Sequence, residues 1–325
     1  MLPKISIITP CFNAEKYIEQ MIQSVINQEY ENLEFIIVDG GSTDGTIEII
    51  KKYEDKITYW ISEPDKGQSD AINKGISIAT GHVFNWVNAD DYLETGALKK
   101  IGEYFSNPET RIVFTQTTFL NPDNSTYTNT TTEFKGGIKE VLNTRGLNQM
   151  GMYWRMDLIK QLNGVNPAFR YAMDLDLWKR YLLTFGNEGI VSDQMITGVF
   201  RLHADSKTGI DMSVNASFFD KENNAALIQY ARVAGNNYVR GIRFLYSSID
   251  EELAKVQPIS SLPVESIKNW MNDLFYNKAK RYFYANEFKN SFALLKLIEV
   301  NYLTPENKKN AISFRKWSMI KRFLK

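Results

Sequence analysis

The first 105 residues alternate short β-branched runs with stretches whose apolar residues recur at helical spacing, the pattern of a parallel sheet built from βαβ units. Lys4 to Thr9, Leu33 to Asp39, Ile57 to Ser62 and Val83 to Asn88 read as strands. Glu15 to Asn27, Thr46 to Tyr53, Gln68 to Ala79 and Leu93 to Phe105 read as helices, with Gly81 placed to help end the third. Polar residues gather where the strands end, at Thr9 to Asn13, Asp39 to Asp44, Ser62 to Gln68 and Asn88 to Asp91. In open α/β sheets the ligand sits outside the carboxyl ends of the strands, so these four loops are predicted to converge on one crevice.

From Arg111 the texture changes to β-rich pieces broken by Asn121, Pro122, Asp123 and Asn124, read as a hairpin of the same domain. Met156 to Leu162, stopped by Gly164, and Leu175 to Phe185, stopped by Gly186, read as helices, and Val199 to Leu202 as a strand. Helix dominates after Met212, with Pro258 and Pro263 marking a break. A chain of 325 residues exceeds the usual size of a single core. The expected division is an α/β domain over 1–212, in two halves at 1–105 and 106–212, and a helical region over 213–325.

Lys+Arg and Asp+Glu balance at 38 each, which removes the global positive field of a dedicated nucleic-acid binder and excludes that partner. The single cysteine, Cys11, excludes an internal disulfide framework, fits a reducing compartment and is expected to pack as a small residue. No run of 18 apolar residues and no signal-peptide pattern is visible, so the expected location is the cytoplasm.

Asn88-Ala89-Asp90-Asp91 sets two carboxylates between a strand and a helix. Hard cations such as Mg²⁺ and Mn²⁺ take oxygen ligands, and one or two carboxylates plus substrate phosphates form a common site. Paired aspartates also simply favour a helix start, and taken alone the two readings are evenly matched. In Asp39-Gly40-Gly41-Ser42-Thr43-Asp44-Gly45-Thr46 the glycines let backbone approach a flat ligand, and Asp39 offers an acceptor to a base. A tight turn capped by Ser42 or Asp44 explains the same residues. Asp65 to Gly75, with Lys66, Gly67, Gln68, Asp70 and Lys74, brings lysines and amides suited to a diphosphate or a ribose, or is merely solvated.

In this order and spacing, Thr9-Pro10-Cys11-Phe12-Asn13, Asp39 to Thr46, Asp65 to Gly75 and Asn88 to Asp91 resemble family 2 glycosyltransferases. The resemblance spans about the first 205 residues and implies that 1–212 is a catalytic domain, with nucleotide-sugar binding at 1–105 and the acceptor side at 106–212. It implies the GT-A fold, a Rossmann-like, mostly parallel central sheet flanked by helices, here with a helical C-terminal extension. It further implies that Thr9, Pro10 and Phe12 border a nucleobase bound by Asp39, with Lys74 near the nucleotide, Asn88 near the ribose and Asp90 on a divalent metal. Asn13, Gly41, Ser42, Gly67, Gln68, Asp70 and Ala89 fall within the same motifs. Where the family often has Asp, this chain has Asn88, so metal binding rests on Asp90 and Asp91.

Tyr171 to Trp178 resembles the family segment that holds the catalytic base, which aligns with Asp174; Met173 replaces its usual first acidic residue. A transfer with inversion needs such a carboxylate to take the proton of the acceptor hydroxyl. Gln149 and Trp154 resemble the stretch lining the sugar pocket, although core packing explains most of that stretch. His203, in Phe200-Arg201-Leu202-His203, takes the place of a histidine that reaches the metal or diphosphate in this family; a lone histidine is otherwise more often an ordinary surface residue.

The implied activity moves a sugar from a nucleotide diphosphate-sugar, by family habit UDP, to a saccharide or lipid-linked acceptor, with Mn²⁺ or Mg²⁺, in bacterial polysaccharide or glycolipid synthesis. Two alternatives stay open: a nucleotidyltransferase, which needs a glycine-rich loop that Thr9 to Asn13 lacks, and a non-catalytic sugar-nucleotide-binding subunit. In the tail, Phe314, Trp317, Ile320 and Phe323 or Leu324 recur at helical spacing among basic residues. That pattern suits a helix lying on anionic lipid at the inner face of the membrane, and equally a basic helix docked on its own domain.

Overall fold

Strand β1 (Ile5–Cys11) is buried along its whole length, because parallel partners cover both of its edges and helices cover its faces. On one side lie β2 (Leu33–Asp39) and then β3 (Tyr59–Ser62), and on the other lies β4 (Val83–Trp86). The strand order therefore reverses between β1 and β4, and the loops leaving these two strands diverge to open a crevice.

Beyond β4 the sheet turns mixed. β5 (Tyr92–Leu93), β6 (Ile112–Leu120), β7 (Thr126–Thr128), β8 (Met152–Arg155) and β9 (Ile190–Arg201) complete it, with β8 antiparallel between β4 and β6, and β9 parallel to β6. The two-residue β5 pairs with β9. That pairing ties the exit of the Asn88 to Asp91 loop to the strand that leads to His203.

Helices α1 (Ile18–Ile26), α2 (Thr46–Lys52), α3 (Gln68–Ile78), α4 (Ala97–Phe105), α5 (Met156–Gln161) and α6 (Met173–Phe185) belong to this part of the chain. Ile18, Met21, Ile22 and Val25 of α1 recur at the i, i+3, i+4, i+7 positions and are buried, each contributing about 1.5–3 kcal/mol of apolar burial. Gly75 of α3 lies so close to β1 that a Cβ there would stand 2.5 Å from Ile8 Cγ2. Gly81 lies beyond the end of α3 and works differently from a helix stop: its N–H donates to Ser6 Oγ and to Glu34. Gly164 and Gly186 do follow their helices with positive φ, 70° and 77°.

The computed structural model describes residues 1–129, 142, 148–204, 206, 212–258 and 261–321. The chain divides into two units, Met1–Phe219 and Asp220–Lys325. Most of α7 (Met212–Ala234) lies in the second, followed by α8 (Asn236–Leu245), α9 (Glu251–Lys255), α10 (Val264–Tyr284), α11 (Phe288–Leu295) and α12 (Pro305–Lys321). Its interior is pinned by buried Asn272, which donates to Tyr238 Oη at 2.8 Å and accepts from the Glu299 N–H at 2.7 Å.

The α12 helix docks on its own unit through Ala311, Phe314 and Ser318, with the Phe314 ring 4.6 Å from that of Phe283. Phe314 thus departs from the expected exposed stripe, because α10 supplies an aromatic partner. Ile312, Trp317, Met319 and Ile320 stay exposed beside Lys308, Lys309, Arg315, Lys316 and Lys321. Phe323 and Leu324 lie outside the described residues.

Candidate active site

The loops after β1, β2, β3 and β4 meet β9 and the start of α6 around a crevice of about 1160 Å³. Pro10, Phe12, Asn13, Gly67, Gln68, Asn88, Ala89, Asp90, Gln149, Asp174 and His203 all line it. Residues spread over nearly 200 positions are brought together by the reversal of strand order and by the β5–β9 pairing.

The first two loops are zipped to each other. Asn13, with φ 48°, donates its N–H to Ser42 Oγ at 2.7 Å and accepts from the Thr43 N–H at 2.9 Å. Gly41, at φ 87°, makes the turn that brings two amides onto Asp39 Oδ2. Asp39 itself is fully buried and also accepts from the hydroxyls of Ser42 and Ser62. Burial alone would raise its pKa, but these donors outweigh that and hold its carboxyl below the ordinary value. In this arrangement Asp39 and Ser42 shape the loop behind the crevice, and it is Gly40 and Asp65 that reach the lining.

Gly67, at φ 110°, starts α3 and donates to Asp65 Oδ1 at 2.7 Å. Asp70 accepts from the Lys66 N–H, and Lys74 pairs with Glu63 at 2.8 Å and Asp70 at 3.7 Å. Asp70 and Lys74 lie away from the lining, bracing this loop. The Gln68 side-chain amide donates to Asn88 Oδ1 at 2.6 Å, and Asn88 donates on to Asp91 Oδ2 at 3.0 Å.

The two aspartates after Asn88 face opposite ways. Asp91 is 2% exposed, and its other oxygen accepts from the Arg201 N–H at 2.9 Å. Burial, and then the charge of Asp90, push its pKa well above the usual carboxylate range. Both oxygens accept hydrogen bonds inside the protein, and Asp91 lies off the crevice lining. Asp90 turns into the crevice, where His203 Nε2 lies 2.9 Å from its Oδ2. Among the described residues, the buried Nδ1 of His203 finds no hydrogen-bond partner.

A carboxylate and an imidazole at this separation fit a divalent cation that takes its remaining ligands from diphosphate oxygens and water. Among the described residues no cluster of three or more His, Cys, Asp or Glu side chains offers a complete protein cage.

Arg201 and Tyr17 carry no expectation from the sequence, yet they frame this pair. Arg201 Nε donates to the Asp90 carbonyl at 3.0 Å, another of its nitrogens reaches Gln20 Oε1, and its guanidinium lies over the Tyr17 ring at 4.8 Å. Tyr17 in turn packs against the His203 ring at 4.9 Å. The side-chain signal for Arg201 is its place two residues before His203; Tyr17 gives none, since its partners are distant in sequence.

Asp174 is the second residue of α6 and opens onto the crevice, accepting from the Leu175 N–H at 2.7 Å. Asp176 turns inward to a fully buried ion pair with Arg180 at 2.7 Å, and Arg180 also binds the carbonyls of Leu162 and Gly164. That pair fixes the start of the helix carrying Asp174. The Gln149 side chain donates to Asn85 Oδ1 and to the Trp86 carbonyl, both at 2.8 Å. Trp154 is 1% exposed and packs on Trp178 and Tyr181, and Thr9 is buried against Met21. Both stand in the core rather than on the lining.

Residues 6–174, just over half the chain, match the family described as "Glycosyl transferase family 2". Hyaluronan synthase of Pasteurella multocida is 26% identical over 341 residues, an alignment taking in 96% of this chain and 33% of that protein. The chain thus spans about a third of that relative's length. Among solved structures, S. aureus TarS 1-349 in complex with UDP-GlcNAc has a TM-score of 0.58 at 15% identity, covering 98% of this chain and 89% of that one. Mannosyltransferase PcManGT from Pyrobaculum calidifontis, in complex with GDP-Man and Mn²⁺, has a TM-score of 0.50 at 15% identity, covering 100% and 85%. At such identities these likenesses establish the fold, which is GT-A. With its family motifs matched and its crevice assembled from them, the chain belongs to glycosyl transferase family 2.

Proposed function

We propose that this glycosyltransferase takes a UDP-sugar and, with Mn²⁺ or Mg²⁺, transfers the sugar with inversion to a saccharide or lipid-linked acceptor in polysaccharide synthesis, working at the cytoplasmic face of a membrane. The observation that carries the reading is the convergence of Asp90, His203 and Asp174 on one crevice. Asp90 and His203 would hold the cation, which would supply positive charge to the departing diphosphate. Pro10, Phe12 and Asn13 border the nucleoside, Asn88 and Gln68 offer amides to its ribose, and Gly67 brings backbone close to the phosphates. Asp174 accepts the proton of the acceptor hydroxyl as that oxygen attacks the anomeric carbon, the new glycosidic bond forms on the face opposite the leaving group, and the nucleoside diphosphate departs with the bonding pair.

Support for a nucleotide-sugar and a metal comes from the ligands of TarS and PcManGT, and support for a polysaccharide product from hyaluronan synthase. No helix among the described residues is long and apolar enough to cross a membrane, and the exposed basic and apolar residues of α12 suit attachment to a surface instead. Calorimetric titration with UDP and GDP, each with and without Mn²⁺, on the wild-type chain and on Asp90→Ala tests the reading. Metal-dependent binding of UDP that is lost in the variant is the expected result. Preference for GDP would overturn the donor, and binding indifferent to Mn²⁺ would overturn the metal.

A further inference from the structure

One side of the crevice is built from aromatic rings that donor chemistry leaves unused. Phe119 on β6 and Tyr127 on β7 are opposite each other across the hairpin, and their rings lie parallel within 4° at 4.8 Å between centroids. Phe119 is backed in turn by Phe200 of β9, 5.5 Å away and three residues before His203. All three rings line the crevice. Tyr127 nevertheless remains 52% exposed.

An exposed aromatic ring on a short edge strand would ordinarily move among rotamers. Here Phe119 occupies one face of the Tyr127 ring and Phe200 supports Phe119, so the ordering of Tyr127 has been met before any ligand arrives. A flat, rigid, amphipathic surface of this kind gives contact area at low entropic cost. Asn121, whose amide donates to Ser125 Oγ, and Asn148, whose Oδ1 accepts from the Met150 N–H, also line the crevice. A pyranose ring matches both features: its C–H face is apolar and its rim of hydroxyls both donates and accepts hydrogen bonds. An acyl chain would match the ring but not these polar side chains.

We propose that Tyr127, held by Phe119 and Phe200, is the stacking platform for a pyranose ring of a saccharide acceptor. The proposal rests on the reading of the crevice as a glycosyl-transfer site and names the class of acceptor that the site takes.

The test is saturation-transfer NMR with hyaluronan tetrasaccharide, chitotetraose and dodecyl phosphate, each with UDP present, on the wild-type chain, Tyr127→Ala and Tyr127→Phe. UDP affinity is measured in parallel by calorimetry. A saccharide is expected to bind the wild type, with roughly tenfold weaker binding in Tyr127→Ala and less than about threefold loss in Tyr127→Phe, which keeps the ring. UDP affinity should stay constant throughout. Equal saccharide binding by all three chains, saccharide binding by none of them, or binding of dodecyl phosphate alone overturns the platform while UDP still binds. Loss of UDP binding by the wild type overturns the glycosyl-transfer reading itself.

Discussion

His203 Nε2 stands 2.9 Å from Asp90 Oδ2 although 113 positions separate the two residues. The short β5–β9 pairing and the Arg201 contacts to the Asp90 carbonyl and Tyr17 bring them together. If the pair acts as one ligand set, His203→Ala should weaken Mn²⁺-dependent UDP binding about 10- to 100-fold while leaving the melting temperature nearly unchanged. Titration calorimetry reads the first quantity and thermal unfolding the second. Undiminished binding would place His203 outside the ligand set.

Asp174→Asn keeps the shape of the side chain and removes its ability to take a proton. Transfer should fall about 10²- to 10⁴-fold, with UDP affinity retained. Residual transfer near the wild-type rate would require another base.

Asp91 tests the division of labour within its loop. Asp91→Ala leaves the Arg201 N–H and the Asn88 amide without their buried acceptor, at an expected cost of about 2–4 kcal/mol in urea unfolding. Asp91→Asn, which still offers an oxygen, should lose less. A stable Asp91→Ala chain that fails to bind Mn²⁺ with UDP would return Asp91 to the metal.

The parallel half of the sheet was legible because each strand is a short apolar run followed by turn residues: β2 begins and ends where Leu33 to Asp39 places it, and α3 starts at Gln68. The beginning of α4 was not, since Leu93 is held in β5 by its pairing with Gly198, a partner about a hundred residues away. Local pattern also failed to separate Asp90 from Asp91. Adjacent carboxylates look alike in sequence, and only the backbone of Arg201 and the side chain of Asn88 turn one inward. Trp154 shows the same limit from the other side: a residue beside a binding stretch still packs in the core when Trp178 and Tyr181 surround it.

Glu34 ties part of the fold's stability to pH. Burial by itself would raise its pKa, yet Lys4, Ser6 and Thr80 donate to the carboxylate and bring it down to about 2. With the folded value below the ordinary 4.5, its stabilisation is fully present above the ordinary value and is lost as pH falls toward 2. Glu34→Gln should therefore cost about 2 kcal/mol at neutral pH and flatten the dependence of the melting temperature on pH between about 4.5 and 2. A parallel shift of the whole curve would mean that another carboxylate governs the acid transition.

The α12 helix turns Ala311 and Ser318 inward and leaves Trp317 52% exposed, with Ile312, Met319 and Ile320 also in solvent. A helix that needed only to dock on its own unit would gain nothing from those side chains, whereas a lipid surface would bury them and attract the surrounding lysines. Vesicles containing phosphatidylserine should therefore sediment the wild-type chain, and a Trp317→Ser, Ile320→Ser double variant should bind them about tenfold more weakly, from the loss of two apolar insertions. Vesicles of phosphatidylcholine alone should bind both poorly, because they carry no net negative charge to attract the lysines. Equal sedimentation of the two chains would leave the exposed apolar residues without a lipid partner and remove membrane attachment from the proposed function.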